Sequence, residues 1–108
     1  MSDHAEYTLI PNLVELIEMI QADSIISKTF YKGDTLKAIV FAFDEGQELS
    51  EHTANQSAII QILQGEASVT VGEDHHEMQT GGWLQMIPNL KHSVSAKTPL
   101  IMMLMLVG

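Results

Sequence analysis

The sequence contains no cysteine and no arginine. Without cysteine there is no disulfide scaffold, no thiolate metal site and no thiol nucleophile. Without arginine the bidentate fork that grips carboxylates and phosphates is missing. Five lysines oppose fourteen Asp and Glu residues, a formal net charge of −9. Such a chain repels phosphate backbones and anionic lipid surfaces, so neither nucleic acid nor a membrane is an expected partner. The longest apolar run, Leu100–Val107, is far short of the ~20 residues needed to cross a bilayer. The opening Met-Ser-Asp-His-Ala-Glu lacks the basic and apolar regions of a secretory signal. A cytoplasmic location is the resulting expectation.

What remains is 108 residues, 45% of them apolar, enough for one domain with a sizeable core. Folding a chain of this size removes roughly two-thirds of its extended surface from water. Residues 1–23 read as an N-terminal arm. In it Leu13, Leu16, Ile17 and Ile20 share one helical face, and Asn12 stands three residues before Glu15 in a capping-box-like relation. The arm is expected to be a short helix or irregular. From residue 24 onward the texture is that of strands: Ser24–Tyr31, Leu36–Phe43, Ser57–Leu63, Ala67–Val71, His75–Gln79, Trp83–Ile87, His92–Ala96 and Leu100–Val107. Gly, Pro and Asp/Asn breaks recur between them, such as Lys32-Gly33-Asp34, Gly72-Glu73-Asp74 and Pro88-Asn89. Many short strands with regular punctuation predict an all-β sandwich or barrel, and no βα alternation points to a parallel sheet.

The five histidines are the main source of chemistry. Two of them fall in spaced motifs. Gly46, five residues, His52, and then Gly65 make the first; Gly82, five residues, Pro88, and then His92 make the second. This layout resembles the cupin superfamily, whose small conserved-barrel members have an RmlC-like jelly roll. The resemblance covers roughly residues 36–107. It implies a double-stranded β-helix, here a single domain over residues 1–108 with its barrel at 24–108.

The family's metal-binding members are similar in using two histidines and a Glu or Gln from the first motif and one histidine from the second. In this sequence the second histidine position holds Ala54 and the Glu position holds Ala58. The loop before His92 is also one residue shorter than the common pattern. Only His52 and His92 remain as ligands, fewer than the three or four a first-row metal normally takes. The cofactor expectation is therefore none, or a weakly held divalent transition metal on His52 and His92. Glu51 is next to His52, but adjacent strand residues point to opposite faces. Asn55 and Gln56 are weak neutral ligands. Without a metal, His52 and His92 are polar residues at a pocket mouth, or a pair that orients a ligand or moves a proton. His75-His76 reads as a solvated turn pair and His4 as part of a disordered tail.

Met103 and Met105 alternate with Met102, Leu104 and Leu106 along the last strand, so both of its faces are apolar. One face belongs inside the barrel; the other must meet another sheet, the arm or a second subunit. A homodimer is expected on this ground and from the resemblance. Trp83 is read as packed. The acidic run Asp44, Glu45, Glu48 and Glu51 disfavours anionic ligands and favours neutral or cationic ones. The leading expectation is a small-molecule-binding barrel in a sensor or accessory role, with His52, His92, Gln56, Met86 and Met103 at the ligand. A metal-dependent dioxygenase or isomerase using His52 and His92, and a structural module with a vestigial pocket, are the alternatives.

Overall fold

A computed structural model describes residues 6–108; the histidine at position 4 lies outside the described residues. Among the described residues nine strands follow a short arm: β1 (Ile25–Lys32), β2 (Leu36–Phe43), β3 (Glu48–His52), β4 (Ser57–Gln64), β5 (Glu66–Val71), β6 (Asp74–Gln79), β7 (Trp83–Met86), β8 (His92–Ala96) and β9 (Leu100–Val107). They form two antiparallel sheets, one in the order β1-β2-β9-β4-β7 and one in the order β3-β8-β5-β6. This is the all-β architecture expected from the strand rhythm, in the two-sheet jelly-roll form that the resemblance implied.

Period-two burial explains how the sheets face one another. In β4, Ala58, Ile60 and Ile62 are buried, and in β8, His92, Val94 and Ala96 are buried. These residues meet Phe43, Ala67, Val69, Leu100, Met102 and Leu104 in one core between the sheets. The turn from β4 to β5 depends on Gly65, whose φ of +99° suits glycine and whose missing Cβ makes room for the Pro99 carbonyl.

β9 lies between β2 and β4, hydrogen-bonded on both sides, and is apolar on both faces. Met102 and Leu104 point into the barrel. On the opposite face Ile101 joins Val40 and Ala42 in a second cluster, covered by Val14, Leu16, Ile17 and Ile20 of the arm. Of the three expected covers for this face, the arm is the one the fold uses. The arm's helical content is a single 3-10 turn, Leu13–Leu16, capped by the Asn12 side chain, which accepts from the Val14 N–H at 3.1 Å. The backbone is already extended at Ile17, so Ile17 and Ile20 reach the sheet from a strap rather than a helix. No helix among the described residues is long and apolar enough to cross a membrane.

Candidate functional site

The site is built where β3 meets β8. β3 has no counterpart among the strands read from the sequence, because it is short, mostly exposed and rich in Glu and Ser. Its register carries the important detail. Leu49 pairs with Val94 and His52 with His92, so three steps on β3 match two on β8. That extra residue is a bulge. Leu49 packs on the core between the sheets. Regular alternation from Leu49 would turn Glu51 inward and His52 outward; the bulge brings His52 to the inner side and leaves Glu51 exposed.

His52 and His92 therefore face one another, with ring centroids 4.2 Å apart and planes inclined at 59°. Each ring is held in the same way. His52 Nδ1 lies 2.8 Å from the Ser50 carbonyl and His92 Nδ1 lies 3.0 Å from the Leu90 carbonyl, in each case two residues earlier. A carbonyl oxygen only accepts, so each Nδ1 carries the proton and donates. In the neutral ring the lone pair is then on Nε2. Sequence reasoning missed these two carbonyls, because a backbone acceptor has no residue-type signal.

His92 is 4% exposed. Burial pushes its pKa below the usual histidine value; the Leu90 carbonyl opposes this and neighbouring His52 adds to it. A positive charge on one ring disfavours charging of the other at this separation, which adds to the effect of burial on His92.

The two motifs are tied together around this pair. The Asn89 N–H donates to the Ala54 carbonyl at 2.7 Å, and the Ser57 hydroxyl donates to the Met86 carbonyl at 3.1 Å. Gln56 is half-buried at the bend before β4. Met86 is buried in the core and pairs across the sheet with Ala58, the residue at the position where the resemblance implies a Glu. Among the described residues no group of three or more His, Asp or Glu side chains is placed to hold a metal ion. Two imidazoles alone do not fit a tightly held first-row metal.

Met103 is not brought to the pair. It lies on the outward face of the five-stranded sheet, because Met102 on the same strand takes the inward position. Trp83 is not packed: it is 59% exposed on the edge strand β7, beside a cleft that also touches His76 and Met78. His75 and His76 are exposed, as read, but they lie on β6 itself. There His75 bonds to Glu77 at 2.9 Å and to Thr70 at 3.2 Å. In the acidic run, the Asp44 carboxylate accepts from the backbone N–H groups of Asp23 and Glu45.

No family model matches the sequence, and no curated protein matches it either. Solved structures do. A conserved protein of unknown function from Streptococcus pyogenes superposes with a TM-score of 0.84 at 28% identity, covering 99% of this chain and 95% of that one. A cupin 2 conserved barrel domain protein from Leptotrichia buccalis gives 0.82 at 29% identity, over 89% of this chain and 46% of that one. A cupin superfamily protein from Desulfitobacterium hafniense gives 0.83 at 23% identity, over 95% and 92%. With two antiparallel sheets, His52 and His92 paired across β3 and β8, and these structural likenesses, the chain has the jelly-roll fold of cupin superfamily proteins.

Proposed function

We propose that this cupin binds a small neutral or cationic molecule through His52 and His92, in a sensor or accessory role, without depending on a tightly held metal. The observation that carries this reading is the paired anchoring of both Nδ1 atoms to backbone carbonyls. It leaves two Nε2 lone pairs as preset acceptors, suited to a ligand that presents N–H or O–H groups. Met86 and Ala58 are packed in the core between the sheets, so the reading rests on the two histidines. An anion gains little, since the chain has no arginine and burial keeps His92 neutral.

A thermal-shift screen of neutral and cationic small molecules tests the proposal. A hit that raises Tm in the wild type and is lost in His52→Ala and in His92→Ala supports it. Hits that survive both substitutions contradict it, and a screen with no hits favours the vestigial-pocket alternative. The metal-dependent dioxygenase or isomerase reading draws on the same two lone pairs, but other donors must complete the coordination.

The homodimer belongs to the same proposal. The arm covers β9, so the apolar surface left for a second copy includes Trp83 and Ile87, 59% and 65% exposed, on and just after edge strand β7.

A further inference from the structure

The arm and the outer face of the five-stranded sheet enclose a cleft of about 380 Å³. Thr8, Ile10 and Leu13 form its arm side, and Ala38, Met103 and Met105 form its floor. It lies on the opposite face of the sheet from the histidine pair, since Met102 and Leu104 point into the barrel.

Several features shape this space. β1 contains a bulge: Thr29 pairs with Ile39 and Tyr31 with Ala38, leaving Phe30 as the extra residue. Tyr31 consequently shares a face with Ala38, while Phe30 packs on the outer cluster, and both aromatics line the cleft. Regular alternation would send one of two consecutive rings to the other face. Gly33 makes room for the Tyr31 ring: a Cβ there would stand 2.9 Å from the tyrosine hydroxyl and 3.0 Å from the ring. Ala38 keeps the floor low directly across from Tyr31. The two methionines give that floor an adaptable surface.

Among the described residues the lining carries no charged side chain; its polar tips are the hydroxyls of Thr8 and Tyr31. Among these lining residues an anion meets no cation and a cation meets no carboxylate. The volume falls within the range of about 300–1,000 Å³ typical of small-molecule sites. A stable protein partner would need roughly 800 Å² of contact on this side alone. We propose that this cleft binds a small, uncharged, largely apolar molecule with a planar ring, held between the Phe30–Tyr31 wall and the methionine floor. The site is separate from the histidine pair and does not rest on the function proposed for it.

Titration with the neutral fluorophore phenylnaphthylamine, followed by fluorescence and by amide NMR, tests this. The expected result is a saturable rise in emission, with shifts centred on the amides of Phe30, Tyr31, Ala38 and Met105. Ala38→Leu fills the floor and Thr8→Glu puts a charge at the exposed rim without touching the core; each is expected to weaken binding roughly tenfold or more. Shifts centred on His52 and His92, or binding that survives both substitutions in folded protein, overturn the proposal. So does movement of the same amides with protein concentration alone, which makes a second copy the occupant.

Discussion

His52 and His92 stand ring to ring across β3 and β8, each donating from Nδ1 to the carbonyl two residues before it. The arrangement depends on a bulge that spends one extra residue between Leu49 and His52. Sequence spacing, strand register and ring tautomer thus form one chain of cause: the bulge selects His52 over Glu51 for the interior, and the carbonyls select which nitrogen is free.

Burial lowers the pKa of His92 from its ordinary value of 6.5, so the unfolded chain takes up a proton more readily than the folded one. Stability is then greatest above about pH 6.5 and falls as pH drops below it. Urea unfolding across this range should show a falling midpoint with acidification, and His92→Gln should flatten that slope. An equal slope in the variant contradicts the assignment.

On the outer face of the second sheet, hydrogen bonds from Lys97 at 2.6 Å and from Ser68 hold the Glu77 carboxylate down to about 2 from 4.5. Its contribution is present above pH 4.5 and lost as pH falls toward 2. The group is exposed, so the stability effect is small. The titration itself is the readout: Lys97→Met should raise the Glu77 midpoint toward 4.5 by NMR, and an unmoved midpoint contradicts the pairing.

The arm contributes to stability by covering β9 rather than by helix formation. Ile17→Ser and Ile20→Ser should each cost about 1–2 kcal/mol, because each removes a partly buried aliphatic side chain from the outer cluster. Asn12→Ala should cost about 0.5 kcal/mol through the lost cap. Equilibrium unfolding of the three variants checks the order; a larger loss for Asn12→Ala than for the isoleucines reverses the account.

Most of the barrel was legible because alternation and turn residues act locally. The expected Leu36–Phe43 strand coincides with β2, and the two apolar faces of β9 were evident from residue order alone. β3 was not legible: its residues are mostly exposed, and pairing with β8 defines it as a strand. The site was half legible. His52 and His92 follow from motif spacing, while the bulge and the Ser50 and Leu90 carbonyls are tertiary features. Met103 was misplaced because methionine on a doubly apolar strand carries no mark of which face looks inward. Trp83 was misplaced because its size suggested burial, whereas β7 lies at a sheet edge.

Homodimer formation is checked by sedimentation at micromolar concentration. The expected species has about twice the 11.9 kDa chain mass, and Trp83→Asp should shift it toward monomer. A wild-type monomer at that concentration contradicts the proposed pairing.

In the proposed function the histidine pair anchors a ligand without a tightly held metal. Elemental analysis of the protein purified from metal-supplemented medium, beside a His52→Ala/His92→Ala double variant, tests it most directly. Metal well below one atom per chain is expected in the wild type, with no difference in the variant. One atom per chain in the wild type, lost in the variant, would contradict it.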